Sequence, residues 1–324
     1  MATLKEVADR AGVTVTTVSR MLNKPGIVSA QTTCKIQRAM QELDYQPNEL
    51  ARSLSKQQSN MIGLIVPSAR NYFFCKVIHE VEQATCELGY KLLLCVSNHE
   101  KQKEIEYFSM LKANKVAGVL IASHTQDLAN NIAMDMPVIS IDRTLSPGIP
   151  SVCSDNENGG HLAAKLLVQK GCRNLAYFSG SITPGMDANR RQDGFASELA
   201  NHGLQPIVLE LEEERFVSME YEDIIAAFFA RHPAVDGVFT SNDIIAAQIL
   251  RYCQKTGRPV PGSLKIVGYD DIELARLTTP AITTIRQDVH AISRFAVQSV
   301  AQCKKRPTPL ATVFPVTLIE RETT

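Results

Sequence analysis

Apolar residues recur along this chain with two different periods. In the first sixty residues the period is helical: Leu4, Val7, Ala8 and Ala11 stand at i, i+3, i+4 and i+7, one apolar stripe on a short helix. Gly12 follows and supplies the permissive backbone of a tight turn. Thr14 is a suitable N-cap for a second helix in which Val18 and Leu22 face the first, leaving Val15, Thr16, Thr17, Ser19 and Arg20 for other faces. A third helix is signalled by Ser29 as cap and by Ile36, Ala39, Met40 and Leu43 at the same spacing. After Tyr45, Gln46 and Pro47, Asn48 can cap a segment from Glu49 to Lys56; so short a helix is marginal in water and orders only when something holds it.

From residue 61 onward short apolar runs alternate with helical stretches. The runs are Ile62 to Val66, Leu92 to Val96, Val119 to Ile121, Val138 to Ile141, Leu175 to Phe178, Val238 to Thr240 and Ile266 to Val267. Bounded by Gly, Pro, Asn and Ser, they predict buried parallel strands, with crossover helices such as Glu157 to Lys170 and Ile244 to Lys255 between them. The fold class is therefore an all-α head plus an α/β body of two doubly wound parallel sheets. Ligands of such sheets belong at the carboxyl ends of the strands. Just beyond those ends lie Arg70 to Phe74, Asn98, Ser123, His124, Asp142, Arg143, Gly180, Asn242, Asp243, Asp270 and Asp271.

Composition narrows the class without naming it. At 324 residues, with 44% hydrophobic and 21% charged, the chain is too large for a small stapled scaffold and too apolar for a disordered one. No window of about 18 uncharged apolar residues appears, and Met1 leads into Thr3, Lys5 and Glu6 instead of a signal peptide, so an unsecreted chain with no membrane partner is expected. The eight cysteines (34, 75, 86, 95, 153, 172, 253, 303) include no CxxC pair and read as ordinary buried thiols of a reducing cytoplasm. The net charge of zero conceals an asymmetry: residues 1 to 60 carry eight basic and five acidic side chains, a net +3 balanced by −3 in the remainder. A basic head on an acidic body favours contact with phosphates, although a solvated face would show the same balance.

Two short helices joined by a glycine turn form a helix-turn-helix pattern. Its second helix enters the major groove of DNA, where Arg20 could donate two hydrogen bonds to a guanine edge while Val15 or Thr16 packs on a thymine methyl. The plain alternative makes Val15 core and Arg20 a surface cation. In the body, carboxylates, amides and an Arg fork can pair with vicinal hydroxyls, and Phe73 or Phe74 can lie against the apolar face of a sugar ring. Here the alternative is that each Asp or Asn caps the next helix and the phenylalanines fill core.

Thr3 to Asn23 (TLKEVADRAGVTVTTVSRMLN) and Tyr45 to Leu54 (YQPNELARSL) together resemble the DNA-binding head and hinge of lactose-repressor (LacI/GalR) family regulators. The resemblance continues through NYFF at 71 to 74, SDNENGG at 154 to 160, RRQDGF at 190 to 195, TSND at 240 to 243, GYDD at 268 to 271, TTPAITTIRQ at 278 to 287 and LIERET at 318 to 323. The body is also similar to periplasmic sugar-binding proteins, and the phrasing around SDNENGG and GCRN looks most like sucrose-utilisation repressors. The resemblance implies DNA contacts from Thr14, Val15, Thr16, Thr17, Arg20 and Asn23, with Ala51 and Leu54 on a hinge helix in the operator's minor groove. It implies that Arg191, Asn242 and Asp270 hold effector hydroxyls, that Phe73 and Phe74 line the N-terminal side of the cleft and that Asp155 lies near the junction of the lobes; Ser123 and Arg143, just beyond strand ends, complete the expected effector-binding set. Departures from the family pattern are Val15 for a polar base reader, Gln46 for a basic residue, Tyr72 for Pro and Cys172 for His.

The expected organisation is a head at 1–47, a hinge helix and linker at 48–60, and an effector-binding and dimerisation body at 61–324. Within the body the expected N-lobe is about 61–153 plus 287–314 and the C-lobe about 154–286 plus 315–324. The expected function is a cytoplasmic repressor of carbohydrate-utilisation genes. It would bind pseudo-palindromic double-stranded operator DNA as a homodimer, because one head reads only a half-site. No heptad helix of the sort that makes some relatives tetramers follows the LIERET segment, and whether dimers associate further is left open. A sugar or sugar-phosphate effector between the lobes would release the DNA; a purine or nucleoside effector, or use as an activator or corepressor-dependent regulator, is the alternative. Neither cofactor nor metal is expected, and an enzyme finds little support: no GxGxxG, GxxxxGK[ST] or GxSxG occurs, and the seven histidines include no close ligand pair. Leu54→Ala is expected to reduce operator affinity and DNA bending together, because a leucine wedge and the helix that carries it form as one unit on the duplex. Gel-shift affinity combined with circular-permutation bending checks this; full bending at full affinity would remove Leu54 from the wedge role.

Overall fold

The computed structural model describes residues 2–23, 26–46, 59–123, 125, 128, 136–180, 185–303 and 307–324. The chain divides into a head ending at Ser59 and a body beginning at Asn60. In the head, α1 (Leu4–Ala11), α2 (Val15–Asn23) and α3 (Ala30–Glu42) pack Val7, Ala8, Val18, Ile36 and Ala39 into one small core. Each helix starts where the sequence expects. Thr3 and Glu6 form a reciprocal capping box on α1, Thr14 Oγ1 accepts from Thr17 N at 3.2 Å, and Ser29 Oγ accepts from Thr32 N at 3.3 Å. Gly12 closes α1 at φ +67°, a backbone that a side chain would strain. The expected hinge helix, with Ala51 and Leu54, lies outside the described residues.

The body contains two six-stranded sheets. The first comprises β1 (Met61–Val66), β2 (Lys91–Val96), β3 (Val119–Ile121), β4 (Val138–Ile141), β5 (Ser151–Ser154) and β11 (Ala311–Phe314), in the order β11-β5-β4-β3-β1-β2 and parallel throughout. The second comprises β6 (Leu175–Ser179), β7 (Ile207–Glu210), β8 (Gly237–Thr240), β9 (Lys265–Asp270), β10 (Thr283–Gln287) and β12 (Val316–Ile319), in the order β12-β10-β9-β8-β6-β7. Among the described strand pairs of this sheet, β10–β12 alone is antiparallel.

Continuous apolar runs become strands because both faces of each sheet are covered. One face of the first sheet packs on α4 (Tyr72–Glu87) and α12 (Val289–Gln302) through Val77, Val81, Ile292 and Ala296, and the other on Phe108 and Leu111 of α5 (Lys101–Ala113). In the second sheet Ala176 and Phe178 face α9 (Glu222–Arg231) and α10 (Asp243–Thr256), while their neighbours Leu175 and Tyr177 face α6 (Asn156–Gln169) and α7 (Arg190–Ala200). Every expected strand is present, lengthened at some ends; β5, β7, β10, β11 and β12 have no counterpart among the expected runs. The reading of the cysteines needs correction, since Cys34 on α3 and Cys75 and Cys86 on α4 are exposed on the outer faces of their helices. Among the described residues no helix is long and apolar enough to cross a membrane.

The chain passes between the sheets three times, from β5 into α6, from β10 into α12, and from β11 into β12. These crossings are stitched together: Ser154 Oγ donates to Gln287 Oε1 at 2.6 Å, and Asp155 N donates to the Phe314 carbonyl at 2.8 Å. Beside them α6 and α7 approach to backbone contact. A Cβ on Gly160 would lie 2.1 Å from the Arg191 carbonyl oxygen, and one on Gly194 would lie 1.9 Å from that of Glu157. Gly160→Ala should therefore destabilise the body by ~1–3 kcal/mol or more, as overpacking against backbone does. Gly148→Ala, at a site with nothing within 4 Å of the added carbon, should stay within ~0.5 kcal/mol. Urea unfolding of the two variants against wild type measures the difference.

Candidate functional site

Two surfaces have chemistry to offer, one in each unit. On the head, the outward face of α2 presents Thr14, Val15, Thr16 and Arg20 to solvent, with Val15 42% exposed, so the reading of Val15 as core does not apply. Val15, Thr16, Ser19, Arg20 and Asn23 border a shallow groove with Leu4 and Ile27. Thr17 is half-buried at the helix start, and Asn23 Nδ2 donates to Ser19 Oγ at 3.2 Å. Arg10 and Arg38 both engage Glu42, at 2.5 and 3.2 Å, whereas Arg20 has no carboxylate partner among the described residues. The groove thus combines one uncommitted guanidinium with a methyl-rich edge.

In the body a cavity of about 90 Å³ opens at the carboxyl ends of both sheets. At ~10–15 Å³ per water it has room for several waters, the scale of a small polar ligand. In each sheet the strand order reverses between its first and third strands, the switch point at which ligands of such sheets bind. From the first sheet come Asn71, Phe73 and Phe74 after β1, His99 after β2 and Asp142 after β4. From the second come Tyr177, Ser179 and Gly180 on and after β6, Ser241 and Asn242 after β8, and Asp270 at the end of β9. Glu213 and Phe216, on the short helix α8 (Glu213–Ser218) after β7, complete that side.

Arg191 on α7 is the centre of this arrangement. Its Nε donates to Asn156 Oδ1 at 2.7 Å, its Nη1 donates to the Ser241 carbonyl at 2.6 Å, and its guanidinium carbon lies 3.7 Å over the Tyr269 ring. Tyr269 in turn donates its hydroxyl to the same Asn156 oxygen at 3.1 Å. Asp270 Oδ1 stands 4.0 Å from Nη1 and accepts from Gln287 Nε2 at 2.7 Å, which ties the cavity to the Ser154–Gln287 crossing. Asp142 and Asp270 hold left-handed backbone at φ +58° and +101°, conformations that cost ~1–3 kcal/mol when other contacts do not favour them. Oδ1 of Asp142 is buried and accepts no hydrogen bond from a described residue.

Of the residues expected to hold an effector, Phe73, Phe74, Arg191, Asn242 and Asp270 meet at this cavity. Asn242 also caps α10, its Oδ1 accepting from Ile245 N at 3.0 Å, which leaves the amide NH2 as the group it offers. Ser123, Arg143 and Asp155 are placed elsewhere. Ser123 Oγ donates to the buried Glu104 at 2.7 Å, Arg143 Nη1 donates to the carbonyls of Ser123 and Thr125, and Asp155 caps α6 by accepting from Asn158 N. Their polar groups bind the framework. Asp243 and Asp271 do the same: Asp243 accepts from Ile272 N and Thr284 Oγ1, and Asp271 pairs with Arg321 and Arg286.

The strand-end rule had already picked out Asp142 and Gly180; Tyr177, Glu213 and Phe216 carry no such signal, since one lies inside a strand and two follow a strand not expected. Burial pushes the carboxyl of Asp142 up to about 6 and that of Asp270 up to about 7, in both cases against the pull of Arg191. A carboxyl that holds its proton more tightly folded than unfolded makes stability fall as pH rises between the two values, here from about 4 to about 7 for Asp270. Asp270→Asn removes that loss. The variant's melting temperature relative to wild type should climb from pH 5 to pH 7 and level off above it; a pH-independent offset in thermal unfolding would mean that Asp270 ionises as an ordinary carboxylate.

The likenesses of the chain to known proteins bear on both surfaces. Residues 3–48 match the family model of bacterial regulatory proteins of the lacI family, and residues 164–324 match a periplasmic binding protein-like domain. The chain is 38% identical to the sucrose operon repressor of Pediococcus pentosaceus over 92% of this chain and 91% of that one. It is 37% identical to the ribose operon repressor of Bacillus subtilis (strain 168) over 100% and 99%. Among solved structures, the lac repressor dimer bound to operator and the anti-inducer ONPF aligns at a TM-score of 0.87 and 25% identity, covering 99% of this chain and 98% of that one. With a helix-turn-helix head, a two-sheet body and whole-length identity to such repressors, the chain belongs to the lacI family of bacterial regulatory proteins.

Proposed function

We propose that this chain is a cytoplasmic, DNA-binding repressor of carbohydrate-utilisation genes whose grip on its operator is set by a sugar in the body cavity. The observation that carries this reading is the pairing, in one chain, of an exposed helix face bearing Arg20 with a cavity lined by carboxylates, amides and phenylalanines. Carboxylates and amides satisfy hydroxyls, and aromatic rings cover the apolar face of a sugar. The sucrose and ribose operon repressors among its relatives support the same class. A purine effector is less well served: Phe73 and Phe74 meet edge to face, with centroids 5.3 Å apart and planes at 70°, which is not a slot for a flat base. The reading is of regulation without catalysis.

In this reading two chains pair so that two heads span a pseudo-palindromic operator, each α2 lying in a major groove. Thr14, Val15, Thr16, Thr17, Arg20 and Asn23 face the duplex there, and Ala51 and Leu54 meet the minor groove at the operator centre. Phe73, Phe74, Arg191, Asn242 and Asp270 hold the effector, joined by Asp142, while Ser123, Arg143 and Asp155 support the frame. Effector draws the lobes about their three crossings and so biases the dimer toward the state that releases DNA, by its differential affinity for the two states.

The test is a separation of functions. Arg20→Ala should weaken specific operator binding by about 1–3 kcal/mol, the worth of one bidentate base contact, and leave effector binding intact. Asp270→Asn should keep operator affinity and lose response to the sugar, because a carboxylate that accepted hydroxyl protons is gone. Fluorescence anisotropy on operator and random DNA, with and without sugar, reads both; equal loss of Arg20→Ala on the two DNAs would make Arg20 a phosphate contact, and a normal sugar response in Asp270→Asn would move the effector elsewhere.

A further inference from the structure

The charges around the cavity do not balance in the way a phosphorylated ligand requires. Three carboxylates line it, those of Asp142, Glu213 and Asp270, against one cation among the described lining residues, Arg191. That guanidinium is already engaged by Asn156, the Ser241 carbonyl and the Tyr269 ring, with Asp270 beside it. Two of its five N–H donors are spent on Asn156 and the Ser241 carbonyl, and its charge is already shared by the Asp270 and Asp142 carboxyls, so a phosphate would compete with them for the same cation. The neighbouring cations are held elsewhere or stand back. Arg143 is bonded to the Ser123 and Thr125 carbonyls, Arg190 pairs with Glu157 on the surface, and Lys76, half-buried on α4, draws Asp270 down less than Arg191 does.

We propose that the cavity selects a neutral polyhydroxy ligand, an unphosphorylated sugar, and rejects the phosphate ester of that same sugar. The inference rests on the reading of the cavity as a sugar site and specifies its ligand class. Carboxylate oxygens accept hydroxyl protons, and the buried Oδ1 of Asp142 is an acceptor waiting for such a donor. A phosphate offers acceptors where the site already has an excess of them. Burial pushes the Asp142 and Asp270 carboxyls up to about 6 and about 7, so the Arg191 guanidinium beside them does not offset the cost of taking their charge out of water. A dianion placed there would meet unscreened like charge.

The test is isothermal titration calorimetry of the full-length protein at neutral pH with sucrose, D-ribose, D-fructose and D-glucose, with a phosphate monoester of each, and with hypoxanthine and guanine. At least one neutral sugar should bind saturably and its phosphate ester should bind about 100-fold or more weaker, the expected cost of burying a charge without a partner. Millimolar inorganic phosphate should leave the neutral sugar's isotherm unchanged. Glu213→Lys, a substitution at an exposed position of the cavity rim, should narrow the ratio of sugar to ester affinity about ten-fold by adding the cation that the site lacks. An ester that binds as tightly as its sugar, or competition by inorganic phosphate, overturns this inference and leaves the sugar reading standing. Binding of hypoxanthine or guanine with no heat from any sugar or ester overturns the sugar reading, and this inference with it.

Discussion

The cavity depends on a contact between two backbones. Gly160 on α6 and Gly194 on α7 leave no room for a side chain where each helix meets the other's carbonyls. Only at that separation can Arg191, in the first turn of α7, reach Asn156 in the first turn of α6. Asn156 then shares one oxygen between Arg191 and Tyr269 of β9, so that two helices and a strand converge on one amide. A guanidinium fixed on three sides can stay charged in a buried place and hold Asp270 and Asp142 near it. The close approach of the helices, the fixed cation and the carboxylates it steadies form one dependent series.

Three aspartates at neighbouring strand ends show how the same side chain serves different ends. Burial would raise the Asp271 carboxyl, but its hydrogen bonds to Arg321 and Arg286 hold it below the ordinary value, and it works as a bolt between β9, β10 and the segment after β12. Asp243 is driven far up by burial and by Asp270, and holds Ile272 and Thr284 against α10; a side chain on Gly268 would strike its carboxyl at 2.1 Å. Asp270 alone of the three opens on the cavity. The GYDD and TSND segments are thus as much framework as site.

That division explains what could be read from the residues and what could not. The long strands were legible because both faces of each sheet are covered, so their runs are apolar without interruption. β5 was not, since Ser151 and Ser154 interrupt its pattern; both are buried, and their hydroxyls reach Leu310 and Gln287, partners far away in the chain. β7 and β11 lie at sheet edges, half-exposed, with too short an alternation to stand out. Among the site residues, position after a strand indicated which residues stand near the cavity but not which way each turns. Arg143 turned to carbonyls and Ser123 to Glu104, while Asp142 turned inward. Glu213 and Phe216 became visible only once β7 was in place, because their helix follows from it.

The interleaving of the two sheets has a consequence for the order of assembly. Ser151 on β5, next to the edge strand β11, bonds to the carbonyl of Leu310, 159 residues further on, and β12 of the second sheet follows directly after β11 of the first in the chain. While the chain emerges from the ribosome, β5 and β10 therefore each wait with an unpaired margin, and a single short stretch, Ala311–Ile319 in all, then closes both. Such long-range pairing is slow to form and exposes strand edges meanwhile. Completion of either lobe is delayed to nearly the same moment as completion of the other: β5 keeps an open border from Ser154 until Ala311, β10 keeps one only from Gln287 onward, and both are sealed at once.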